Sequence, residues 1–86
     1  MLRIDTVKTL GMGSHQVFFY GLPNDADFIR SLLLTESDVK VSPPTPSEEK
    51  GNLHVSVQGS SSNPLTRERL FELLRNNQYI NLTAKF

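Results

Sequence analysis

Apolar and polar positions alternate at four places along the chain, and each place predicts a strand with one buried face. Leu2-Arg3-Ile4-Asp5-Thr6 is the first, an N-terminal strand over 2–8, after which Gly11-Met12-Gly13-Ser14 punctuates the chain as a loop. Val39 and Val41 flank Lys40 in a second, very short one, stopped by Ser42-Pro43-Pro44-Thr45-Pro46, because proline has no N–H for a sheet ladder. Residues 42–52 are therefore expected to form an exposed proline-rich loop. Leu53, Val55 and Val57 alternate with His54, Ser56 and Gln58 in the clearest strand of all, and Gly59-Ser60-Ser61-Ser62 closes it. Ile80, Leu82, Ala84 and Phe86 alternate with Asn81, Thr83 and Lys85 in the last.

Between these stretches the period changes. Val17-Phe18-Phe19-Tyr20 is β-branched and aromatic without alternation, as in a central strand covered on part of both faces, and Gly21-Leu22-Pro23 ends it. Phe28, Ile29, Leu32 and Leu33 gather on one side of a helix over roughly 25–35, with Asn24 or Asp25 as N-cap. Leu70, Phe71, Leu73 and Leu74 give a second helix its buried face, capped by Asn63 before Pro64 or by Thr66. Asn76-Asn77 is suited to leave that helix in a left-handed conformation.

The resulting order is β, β, α, β, β, α, β. Two helices on one face of a four- to five-stranded, mainly antiparallel sheet make a ferredoxin-like α+β sandwich, with His54, Ser56, Gln58, Asn81, Thr83 and Lys85 on the open face. With 86 residues there is room for one domain, spanning 1–86.

Composition narrows the class. Hydrophobic residues make up 37% and charged residues 21%, too apolar for a disordered chain, and the longest apolar run, Val17 to Tyr20, is far too short to span a membrane. Arg3, Asp5 and Lys8 interrupt the segment where a secretory signal would be apolar, so a cytoplasmic, intracellular protein is expected. Without cysteine there is no disulfide, thiolate metal site or thiol nucleophile. Nine basic and nine acidic side chains cancel, which removes the long-range field that steers a typical nucleic-acid binder.

No constellation reads as catalytic, cofactor-binding or metal-binding. His15 and His54 are the only histidines, and neighbouring carboxylates show no ligand spacing. Asp25 and Asp27 complement a helix dipole. Gly11-Met12-Gly13 leads into a strand, where a dinucleotide fingerprint would follow one, and Ser60-Ser61-Ser62-Asn63 lacks the lysine of a phosphate loop. Pro43-Pro44-Thr45-Pro46 has PxxP spacing without a flanking arginine, Asn81-Leu82-Thr83 lies within an expected strand, and Arg67, Arg69 and Arg75 alternate with Glu68 and Glu72 as on a solvated helix face.

From Val17 onward the layout resembles a degenerate RNA-recognition motif. Val17-Phe18-Phe19-Tyr20-Gly21-Leu22-Pro23 is similar to that family's first central-strand motif, and Lys50-Gly51-Asn52-Leu53-His54-Val55-Ser56-Val57 stands at the place of its second. The resemblance implies a sheet face that stacks bases on aromatic rings. Asn52, His54 and Val57 stand where the family has aromatics, which leaves Phe18 as the stacking ring and His54 as a weak substitute. A non-enzymatic protein-binding module, of regulator or inhibitor type, is therefore the leading expectation, acting through the open sheet face, the proline loop or a strand edge that also permits a homodimer. RNA binding is the alternative. Phe18, Tyr20, Lys50, Asn52, His54, Ser56 and Lys85 are the candidate partner-binding residues for either, with the two lysines placed for phosphates in the RNA reading.

Overall fold

Six strands and two helices follow one another in the computed structural model, which describes residues 2–11, 13–36, 38–48 and 51–85. They are β1 (Leu2–Gly11), β2 (Ser14–Tyr20), α1 (Pro23–Leu33), β3 (Lys40–Val41), β4 (Thr45–Pro46), β5 (Leu53–Gln58), α2 (Arg67–Arg75) and β6 (Ile80–Leu82). The sheet runs β3-β5-β2-β1-β6, with β4 beside β3 on the same edge of β5. Every pairing is antiparallel except β1 with β6. The molecule is thus an α+β fold with a six-stranded mixed open sheet and two helices.

The first strand reaches Gly11 rather than stopping at residue 8, because it forms a hairpin with β2 that closes at the pair Gly11–Ser14. Gly13 sits there with φ +74°, a backbone conformation that side chains other than glycine's resist. Two β-bulges interrupt the hairpin, at Asp5 and at Leu10. The first explains a pattern that plain alternation misses. Leu2, Ile4 and Val7 are all buried, and the extra residue at Asp5 shifts the parity so that Val7, not Thr6, turns inward.

The inward side chains of β1, β2 and β5 form one core cluster with those of both helices: Ala26, Ile29 and Leu33 from α1, and Leu70, Phe71 and Leu74 from α2. Each large apolar side chain buried there contributes on the order of 1.5–3 kcal/mol, which makes this cluster the main source of stability. His15, 1% exposed, is the one buried polar side chain in the described core. Its Nε2 donates to the Leu65 carbonyl at 2.7 Å, and its Nδ1 shares a hydrogen bond of 2.9 Å with the Thr9 hydroxyl. Arg67 completes the network by donating to Val7 O, Thr9 Oγ1 and Lys85 O, with its guanidinium over the Phe71 ring.

Element ends differ in detail from the pattern-based expectation. Helix α1 starts at Pro23, two residues early, because Asp25 acts at the third helical position: its Oδ2 accepts from Leu22 N at 2.8 Å. Thr66 caps α2, its Oγ1 accepting from Arg69 N at 3.1 Å, while Asn76 leaves the helix at φ −84° instead of the left-handed region. The 42–52 segment is not all loop. Thr45 and Pro46 pair with His54 and Leu53, and Ser42 N and Ser47 N donate to Ser56 O and Asn52 O, so the prolines sit along a broken edge strand. The last strand ends at Leu82, since Thr83 and Ala84 both donate to Ile4 O and the chain bends there. Phe86, expected in that strand, lies outside the described residues.

Candidate functional site

The face of the sheet turned away from the core cluster is built in cross-strand rows. Tyr20, Arg3 and Asn81 form one, Thr6, Phe18, His54 and Thr45 the next, Lys8, Gln16 and Ser56 a third, and Ser14, Gln58 and Lys40 a fourth. Four of the candidate residues meet on this face: Phe18, Tyr20, His54 and Ser56. Lys50 lies outside the described residues.

Phe18 and His54 face each other across β2 and β5 with ring centroids 5.2 Å apart, tilted by 34°. Neighbours enclose Phe18 almost completely, leaving it 4% exposed, so it offers little ring surface on which a base could stack. Gln16, Pro46, Ser47 and Glu48 join this pair around a shallow hollow of about 320 Å³. His54 Nδ1 is buried without a hydrogen-bond partner among the described residues. Ser56 is exposed, and its backbone is engaged by Ser42, whose hydroxyl accepts from Ser56 N at 2.9 Å.

Asn52 is exposed, yet both ends of its side chain are engaged. Its Oδ1 accepts from Gly21 N at 2.9 Å and its Nδ2 donates to Gly21 O at 2.8 Å, while its own N donates to Phe19 O. The carboxamide thus mimics one further step of the β2–β5 ladder. Gly51, at φ +65°, lets the chain pass over β2, where a methyl group would overlap the Phe19 carbonyl. The glycine and asparagine of the Lys-Gly-Asn segment are therefore accounted for by backbone geometry. Lys85 lies beyond β6, away from the sheet rows, with its carbonyl held by Arg67.

Tyr20 has the most open ring on the face, at 43% exposure, and the Arg3 guanidinium stacks over it 4.3 Å from the centroid. Leu22, the residue before α1, is exposed beside this strand end. Sequence reasoning included Tyr20 but missed Arg3. Unbroken pairing from Gly11–Ser14 would set Arg3 opposite Leu22, and only the two bulges bring it opposite Tyr20.

Around the rim, electrostatics serve the fold. Hydrogen bonding from Leu22 N–H holds the Asp25 carboxyl below its ordinary value, and the Tyr79 hydroxyl adds to this by donating to Oδ1 at 2.9 Å. The same bond pushes the Tyr79 phenol up. Glu36 is held low by Arg69, which also pairs with Glu72 and links the end of α1 to α2. Among the described residues no group of three histidine or carboxylate side chains gathers as a metal ion would need, and no helix is long and apolar enough to cross a membrane.

Comparison with protein-family models, with curated proteins and with solved structures finds no match to this chain.

Proposed function

We propose that this domain is a small, non-enzymatic module that binds a protein partner, as an intracellular regulator or inhibitor, through the Tyr20 end of its open sheet face. The observation that carries the reading is the exposed Tyr20 ring under the Arg3 guanidinium, next to exposed Leu22. Tyrosine and arginine dominate the energetic centres of protein interfaces, because each presents a large, stiff contact area together with hydrogen-bonding groups. The polar rows beyond them, with Gln16, Ser56 and Gln58, have the character of a rim.

A ferredoxin-like scaffold is part of the proposal. From β2 onward the chain runs strand, helix, edge strand, strand, helix, strand, with β5 antiparallel to both β2 and the β3/β4 edge, which supports a split β-α-β arrangement. In this reading β1 is an added strand wedged between β2 and β6.

The test is retention of partners from lysate by immobilised wild-type and Tyr20→Ala domains, with and without nuclease. Because the Tyr20 ring is outside the core, the variant still folds, with stability lowered by no more than the loss of the Arg3 contact, about 1 kcal/mol. A nuclease-insensitive protein partner should lose about 30-fold in affinity on the substitution, the size of a 2 kcal/mol energetic centre. Retention of RNA, or of proteins lost with nuclease, would replace this reading with the RNA-binding one.

A further inference from the structure

Among the described residues strand β6 is outermost on its side of the sheet and pairs along one side only, with β1. Leu2 N donates to Tyr79 O and Thr83 N donates to Ile4 O. Alternation along a strand then aims the backbone groups of Tyr79, Asn81 and Thr83 at β1, and those of Ile80 and Leu82 away from it. Ile80 N turns back to Asn77 O, which, among the described residues, leaves the Ile80 carbonyl and both backbone groups of Leu82 along the free edge. The opposite edge is guarded by Pro43, Pro44 and Pro46, which have no N–H to offer. Ile80-Asn81-Leu82 contains neither proline nor charge.

We propose that the occupant of this edge is a second copy of the chain, paired antiparallel through β6 about a two-fold axis beside Asn81. In that register the two Asn81 residues oppose each other as a non-hydrogen-bonded pair, and each copy's Leu82 N–H donates to the Ile80 carbonyl of the other. Both backbone groups that the pairing needs are ones that β1 leaves unused. On the helix-covered side Ile80 meets Leu82 of the second copy. On the open side the two Asn81 carboxamides meet, each bringing donor and acceptor. The chain's zero net charge puts no overall repulsion between copies. Three residues per copy bury less than a permanent dimer requires, so association is weak and follows concentration. The inference rests on the β6 edge and not on the Tyr20 face, so either stands without the other.

Analytical ultracentrifugation of the purified chain, from low micromolar to millimolar concentration, tests it together with Asn81→Lys and Asn81→Asp. Asn81 is exposed, so both variants keep the fold, which their unfolding midpoints confirm. The wild type is expected to rise from the mass of one chain towards two. Each variant alone should stay at one, because like charges face each other across the axis, and an equimolar mixture of the two should associate at lower concentration than the wild type. Amide exchange on the unmodified chain gives a second reading, since Leu82 N–H should become protected as concentration rises. A wild type that stays monomeric at millimolar concentration, variants that dimerise as it does, a mixture that fails to associate, or Leu82 exchange independent of concentration would each overturn the proposal.

Discussion

Asp25 joins three segments with one carboxylate: it accepts from Leu22 N at the start of α1 and from the Tyr79 hydroxyl ahead of β6, and it sits against Gly21. Replacing it with alanine should cost about 1–2 kcal/mol, a helix-start bond and a surface hydrogen bond together, measured as a shift in urea midpoint at neutral pH. Its pH dependence has a definite sign. The folded-state value lies below the ordinary 3.8, so the carboxylate's contribution is present above about pH 4 and is lost as the pH falls through the lower folded value. Stability of Asp25→Asn should therefore fall less between neutral pH and about pH 3 than that of the wild type. Asp25 was legible in the sequence as a first-turn carboxylate. Tyr79 as its partner was not, because 54 residues separate them and only the folded sheet brings them together.

At the scale of elements, helical periodicity placed α1 to within about two residues at each end although its N-cap is Leu22 and not Asn24 or Asp25, and of the two caps considered for α2 the structure uses Thr66 and not Asn63. Thr66 shows why the second start was readable: its hydroxyl caps the N–H of Arg69 in a purely local bond. Thr66→Ala should lower the thermal midpoint by the equivalent of about 1 kcal/mol, and Thr66→Ser should restore most of it. Strands were harder. The bulge at Asp5 changes the inward parity of β1, and the paired Thr45–Pro46 segment runs against the ordinary meaning of proline, since its partners come from β5 and not from its own residues. The candidate face shared this limit. Tyr20 could be read locally, Arg3 required the register, and Asn52 became structural only once Gly21 stood beside it. Phe18, aromatic in a central strand, is enclosed by neighbours that no local pattern supplies.

Over the whole molecule, the strand that opens the fold lies beside the strand that closes it. β1 pairs with β2 as a local hairpin and with β6 across nearly the full sequence, so the sheet is completed only when Leu2, Arg3 and Ile4 meet Ile80, Asn81 and Leu82. Arg67 reinforces the junction by holding Val7 O and Lys85 O together where β6 ends. The arrangement also leaves β6 at one edge of the described sheet, while the far edge carries Pro43, Pro44 and Pro46.

Parallel terminal strands have a mechanical meaning. Tension applied at Leu2 and at Ala84 draws β1 and β6 past each other along their length, because the pulled end of one lies at the opposite end of the pair from that of the other. The bonds between them run across the strands and are loaded together in shear, whereas pulling at Leu2 and Tyr20 would open the β1–β2 hairpin one bond at a time. Single-molecule stretching should therefore record a higher rupture force through the first pair of handles than through the second, and Arg67→Ala should lower the first while leaving the second unchanged.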